Sequence, residues 1–293
     1  MSDVYVSTAS VKNKVITDSI NEILESGFST IELTGGTNYT NDYFEQLVAL
    51  KEKFKLNYMV HNYFPPPKKH FVLNLASPVS KSREQSVDFC RQSILLASKL
   101  GVDRYTVHAG YAEELVPPSE GEQYFQSADE NVVSYDESVN HMYDSVDELV
   151  NYAEDHNVLF GLENLFPYGR IKKQPLFSEP DTIFEYLSRF ENNSAGLLMD
   201  LGHLLISANY FGFDKDKFLK KLTKEYPKKI LGIHISGNDG VFDTHCQLTK
   251  SDWQLNGLKH FKYLDLPVTL ESRGLSCKQI VEQVKLVETY LQG

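Results

Sequence analysis

The sequence predicts a single-domain α/β protein, a (β/α)8 barrel. Three observations predict it: the chain length, an alternation of short apolar runs with amphipathic stretches, and the histidines and carboxylates that end those runs. At 293 residues the chain is long for an average domain and ordinary for one barrel, and no Pro/Ser/Gly-rich linker divides residues 1–293. Strands are expected, in order, at Val4–Ser7, Thr30–Leu33, Tyr58–His61, Arg104–His108, Leu159–Glu163, Gly196–Asp200, Ile230–His234 and Pro267–Glu271. Apolar residues recur near helical spacing between and after them, over Thr17–Glu25, Asp42–Phe54, Ser82–Leu100, Tyr143–Glu154, Thr182–Phe190, Asp214–Glu225 and Lys278–Leu291. Eight such strands followed by helices imply a closed parallel barrel rather than an open sheet. Neither GxGxxG nor GxxxxGK[ST] occurs, so no nucleotide cofactor is expected.

Two connections exceed what a barrel requires. Residues 62–81 contain FPPPKKHFVLNLASP, in which Pro65–Pro67 force an extended path, and residues 110–136 are rich in Glu, Asp, Ser and Pro. Both are read as mouth-side insertions. No Lys or Arg occurs from Tyr105 through Gly169, and the formal charge is −11, which together disfavour a nucleic-acid partner. The start, MSDVYVSTAS, shows no basic or long apolar segment, and the cysteines Cys90, Cys246 and Cys277 are odd in number without CxxC spacing. A cytoplasmic protein with reduced thiols and no membrane association is expected.

The ends of the runs carry the chemistry. They read YMVHNYF (His61), YTVHAG (His108), LFGLEN (Glu163), GLLMDLGH (Asp200, His203), LGIHISGNDGVFDTH (His234, Asp243, His245) and VTLES (Glu271). A parallel barrel brings the C-terminal ends of its strands to one mouth, so these nine side chains would share a small volume. Any one of them alone is more simply a hydrogen-bonded turn or core residue. Four acids crowded together without cations would repel one another, and a divalent ion, Zn, Mn, Mg or Co, relieves that repulsion. His70, His141, His156 and His260 fall outside the pattern and are read as surface or helix histidines.

On these motifs the chain resembles the xylose isomerase-like TIM-barrel superfamily, whose branches include sugar and sugar-phosphate isomerases and epimerases and the endonuclease IV repair enzymes. The resemblance implies one shared ion on Glu163, Asp200, His234 and Glu271. It implies Glu163 and Glu271 as the acid/base pair, with His203 on a substrate oxygen. The endonuclease IV branch implies further metal ligands at His61, His108, His203, Asp243 and His245; in the isomerase branch His61 and His108 would touch substrate instead. NDGVFDTH is similar to the isomerase branch, whereas GLENLFPYG, MDLGHLL and CQLTKSDW depart from the repair enzymes.

Positive charge near the expected mouth is confined to Lys68–Lys69, Arg170 with Lys172–Lys173, and Arg273, enough for one sugar phosphate or carboxylate and thin for a duplex. Arg170 and Arg273 are assigned to substrate. Of the aromatics in mouth-side loops (Tyr63, Phe64, Phe166, Tyr168, Tyr210, Phe211, Trp253), Trp253 is assigned to a sugar face, the alternative for each being packing on the rim. The expectation is a metal-dependent isomerase or epimerase of a small sugar or sugar phosphate. A zinc phosphoesterase and a non-catalytic sugar-binding barrel are the alternatives, and association of identical chains is left open.

Overall fold

The structure, a computed structural model, describes residues 3–117, 125–128, 133–167, 175–191 and 194–292. Its strands are β1 (Val4–Ser7), β2 (Thr30–Leu33), β3 (Asn57–His61), β4 (Arg104–His108), β5 (Leu115–Val116), β6 (Gln126–Ser127), β7 (Leu159–Glu163), β8 (Ala195–Asp200), β9 (Ile230–Ile235) and β10 (Val268–Leu270). The helices are α1 (Ile16–Glu25), α2 (Tyr43–Phe54), α3 (Ser80–Lys99), α4 (Tyr135–Asp155), α5 (Pro180–Arg189), α6 (Leu201–Phe211), α7 (Lys215–Glu225), α8 (Trp253–Leu258) and α9 (Cys277–Gln292). Eight strands close a barrel in the order β1, β2, β3, β4, β7, β8, β9, β10 and back to β1, every pair parallel. This is the (β/α)8 barrel that the alternation predicts.

Helical spacing explains how the outer ring packs. Ile16, Ile20 and Ile23 of α1 fall on one face and are buried, as are Met142, Val146, Leu149, Val150 and Ala153 of α4. Each large apolar side chain so buried contributes roughly 1.5–3 kcal/mol. Register then sets the mouth: His61 pairs with Thr106, His108 with Glu163, and Asp200 with His234 across neighbouring strands. Residues opposite one another in a parallel pair end at the same height, so these side chains emerge at one level.

Several elements differ from expectation. Helix α4 begins at Tyr135 rather than Tyr143, because the Ser134 hydroxyl accepts from Glu137 N–H and Asp136 and Glu137 suit the positive end of the helix dipole. Helix α6 starts directly after β8, in a stretch where continuous hydrophobicity hides the helical period. Strand β9 runs on to Ile235, and Glu271 follows β10 instead of ending it. Between Gly110 and α4 the small antiparallel pair β5–β6 forms, with Leu115 opposite Ser127. Residues 62–79 hold neither strand nor helix.

Asn74 ties these two insertions together. Its side-chain amide donates to the carbonyls of Tyr111 and Glu113, and its Oδ1 accepts from Ala76 and Tyr111 N–H, at 2.8–3.1 Å. Arg170, Lys172 and Lys173, with Tyr168, lie outside the described residues. Among the described residues no helix is long and apolar enough to cross a membrane.

Candidate metal centre

Four donors converge where β7 to β10 end. One side-chain atom each from Glu163, Asp200, His234 and Glu271 lies within 4.8 Å of all the others. Ligands on opposite sides of one ion at about 2.2 Å stand about 4.4 Å apart, so small side-chain shifts would bring all four onto it. His234 Nδ1 sits between the acids, 3.2 Å from Glu163 Oε1 and 3.3 Å from Glu271 Oε2. Its Nε2–H donates to Glu32 Oε2 at 2.9 Å, and Glu32 also accepts from Thr269 Oγ1. A carboxylate behind the imidazole orients the ring and leaves Nδ1 for the site, the usual support of a metal-bound histidine.

Asp200 has two roles. Its Oδ1 caps α6 by accepting from His203 N–H at 2.7 Å, while its backbone is clamped by the Asn164 side chain through both N–H and C=O. Gly202 permits this turn: a Cβ there would lie 2.8 Å from Asn238 Nδ2 and 3.1 Å from Asp200 Oδ1. The other oxygen, Oδ2, is buried without a hydrogen-bond partner, as is Asp243 Oδ1. Unpartnered buried acceptors of this kind carry a large desolvation cost, and a cation among them removes it. The donor set, carboxylates with one imidazole, fits Zn, Mn, Co or Mg.

The remaining five residues cluster around the same acids. His61 Nε2 and His108 Nε2 lie 3.2 and 3.1 Å from Glu163 Oε2, and these three form a second group able to hold an ion. His61 Nδ1 is 3.0 Å from Thr106 Oγ1. His203 donates from Nδ1 to Asn164 O, leaving Nε2 3.5 Å from Asp243 Oδ2, and His245 Nε2 is 2.8 Å from the same oxygen. All nine candidate ligands therefore stand in one connected cluster.

Charge and burial divide the acids. Burial opposes ionisation of Glu163, but His61, His108 and His234 outweigh it and hold the carboxyl well below the usual range. Glu271 behaves likewise, held at about 2 by His234 and His245 against burial, and Asp243 is lowered by His203 and His245. Asp200 goes the other way: burial, aided by Glu163, Glu271 and Asp243, pushes it up to about 6 against the pull of His203. Burial disfavours charge on His234 and His203, yet the acids around them raise both well above the ordinary histidine value, whereas burial wins at His108 and lowers it. Without a metal, protons on histidine do the work of cations.

A cavity of about 860 Å³ opens above the cluster, with Glu163, Glu271, Asp243, His61 and His108 among its lining residues. That volume suits a small molecule. Asp200 and His234 are buried and do not line it. Phe166 lies over the His203 ring, centroids 4.6 Å apart, and Tyr63, Phe71 and Tyr111 add to the wall. Arg273 lines the cavity, and Arg170 falls outside the described residues.

Trp253 corrects the sequence reading, since it is absent from the lining: its indole N–H donates to Asp216 Oδ2 and Lys215 lies over its ring. It starts α8 and packs toward α7. Lys68 rests over Tyr39, and Phe64 is core, while exposed His70 lines the cavity. Sequence reasoning missed Glu32, Asn164 and Lys12. The signal for Glu32 was a carboxylate inside the strand run TIEL, and for Asn164 an amide directly after Glu163.

The family model described as xylose isomerase-like TIM barrel matches residues 20–286. Two uncharacterized proteins of Methanocaldococcus jannaschii are 24% identical over 283 residues, covering 94% of this chain and 85% of the relative, and 26% identical over 250, covering 84% and 81%. Among solved structures, a D-tagatose 3-epimerase-like protein superposes with a TM-score of 0.76 at 22% identity, over 99% of this chain and 97% of that one. The 3-keto-D-glucoside 4-epimerase of E. coli gives 0.67 at 14%, over 99% and 100%. A Thermus thermophilus protein soaked with ZnCl2 gives 0.63 at 16%, over 98% of each chain. At these identities the likeness is one of fold.

Proposed function

Because the chain belongs to the xylose isomerase-like TIM-barrel family, we propose that it is a divalent-metal-dependent isomerase or epimerase of a small sugar or sugar phosphate. The observation that carries the reading is the four-donor set, with His234 Nδ1 between Glu163 and Glu271 beneath a cavity of small-molecule size. The epimerase names of the structural neighbours support the reaction class.

Glu163, Asp200, His234 and Glu271 would hold the ion, whose chemistry is to polarise a substrate carbonyl and its neighbouring hydroxyl. Glu163 and Glu271, both held below the ordinary carboxylate range, are ionised and able to accept a proton from the carbon beside the carbonyl. One removes it, and the other, after taking up a proton from solvent, returns that proton from the opposite side, which inverts the centre. Asp200, with one oxygen committed to capping α6, stays a ligand. His203, oriented by Asn164 O, presents Nε2 to a substrate oxygen, and His61 and His108 border the substrate. Phe166 and Tyr63 exclude water from one side.

A second reading rests on the His61–His108–Glu163 group and on His203 and His245 around Asp243. With more than one zinc in place, the same cluster would suit phosphoester hydrolysis. Elemental analysis of protein purified without added metal, with and without His108→Ala, separates the two. One ion retained in the variant, with solvent deuterium entering a ketose C–H and exchange abolished by Glu271→Gln in a folded protein, supports the isomerase. About three zinc ions per chain, one lost in His108→Ala together with phosphoester hydrolysis, overturns it.

A further inference from the structure

One wall of the cavity is not used by the chemistry above. It is built from Thr8–Asn13 after β1, Thr34–Asn38 after β2, and Arg273 after β10. Backbone bonds knit these loops: Asn38 N–H donates to Lys14 O, Leu275 N–H to Ser10 O, and Arg273 N–H to His245 O, at 2.7–2.8 Å. The wall is therefore fixed relative to His245 and Glu271 of the centre.

Two cations stand on it. Among the described residues that line the cavity, Lys12 and Arg273 are the lysine and arginine, and the acids, Glu163, Asp243 and Glu271, belong to the metal cluster. Lys12 lies across the backbone of Gly274, where a Cβ would meet Cε at 2.7 Å and Nζ at 3.2 Å; at φ +68° that position also favours glycine. Glycine at 274 thus lets the ammonium rest beside the residue that carries the guanidinium. Neither side chain has an ion pair among the described residues, although the chain has eleven more acidic than basic groups. Arg91, Arg104 and Arg189, by contrast, are all paired. On the same wall Thr37 Oγ1 is buried without a hydrogen-bond partner.

Both residues are exposed, so water solvates them in the free protein; an uncharged sugar offers them neutral partners, whereas a dianion engages them through charge-assisted hydrogen bonds, the guanidinium in a fork and the ammonium as a point charge. Many (β/α)8 barrels hold phosphate over the loops after their seventh and eighth strands, and Arg273 follows the eighth. We infer that Lys12 and Arg273, with Thr37, form a subsite for a terminal phosphate of the substrate. The substrate class is then a phosphorylated ketose whose reacting carbons lie over Glu163 and Glu271 and whose tail points to the β1–β2 side. This rests on the isomerase reading for the identity of the reacting end, but the anion site itself does not.

Calorimetric titration of the metal-containing protein with inorganic phosphate, and with acetate in parallel, tests the site directly. Phosphate binding should weaken at least about tenfold in Lys12→Met, in Arg273→Met and in Gly274→Ala, which displaces the lysine, with bound metal unchanged. Acetate binding as strongly, with the same sensitivity, would make the tail a carboxylate instead. Phosphate binding that ignores all three variants overturns the subsite. In the second arm, D-fructose 6-phosphate should bind at least about tenfold tighter than D-fructose, an advantage lost in Lys12→Met. Equal affinity for the two also overturns the subsite. Variant-sensitive phosphate binding without deuterium exchange into any phosphorylated ketose keeps the subsite and removes the isomerase reading.

Discussion

Glu163 joins two parts of the site: one oxygen meets His234 and the other meets His61 and His108. Its neighbour Asp200 sets the pH response. Its carboxyl is raised to about 6, chiefly by burial, so in the metal-free protein it carries a proton below that pH, and an entering ion must displace it. His234, raised well above the ordinary value, adds a second proton to be displaced over a wider range. Both effects have one sign: affinity falls as pH falls. Between pH 7 and pH 5 the apparent affinity for Zn or Mn should drop at least about tenfold, measured by competition with a chromophoric chelator. An affinity flat over that range would place the ion elsewhere. The nine candidate positions that the structure brings together were legible in the sequence because each ends or closely follows an apolar run. Glu32 was not, because nothing local tells a buried supporting carboxylate from an ordinary strand residue. Lys12 and Trp253 failed for a different reason: sequence position gives the loop, not the direction in which a side chain turns.

At the scale of elements, the two mouth-side insertions behave as one unit through Asn74, which is buried and bonded to residues 76, 111 and 113. Replacing it with alanine removes one partner from each of two N–H groups and two carbonyls. Asn74→Ala should therefore destabilise the protein by about 2–4 kcal/mol, read from the urea midpoint at constant slope. A loss under about 0.5 kcal/mol would show that the loops hold without it. The tie itself was hidden in FVLNLASP, since its partners lie nearly forty residues downstream. Strands were easier to read. Each apolar run is short and bounded, and boundaries fell within one or two residues, whereas α6 escaped because LGHLLISANYF is apolar on almost every side and shows no period. The early start of α4 was written in Ser134, a capping residue whose hydroxyl accepts the Glu137 N–H where the helix begins.

For the molecule as a whole, charge decides which polymers it can grip. The net charge is −11, and among the described residues Lys12 and Arg273 are the lysine and arginine lining the cavity, whereas specific binding of a duplex typically engages several phosphates. Incubation with an abasic oligonucleotide duplex at physiological salt should give no nicking above background on a denaturing gel. Efficient metal-dependent incision would reverse the order of the two readings under the proposed function. The closure of the barrel has a consequence of another kind. Glu163, Asp200 and His234 come from three consecutive barrel strands, but Glu271 arrives only when β10 lies against both β9 and β1, pairing Val268 with Val4 across the greatest span of sequence in the barrel. An ion bound by all four side chains would thus act as a clasp on the barrel contact of greatest sequence separation. By mass action, free metal at a hundred times its dissociation constant would favour the closed ring by about 2.7 kcal/mol, and metal supply and resistance to unfolding would then be linked through one pair of strands.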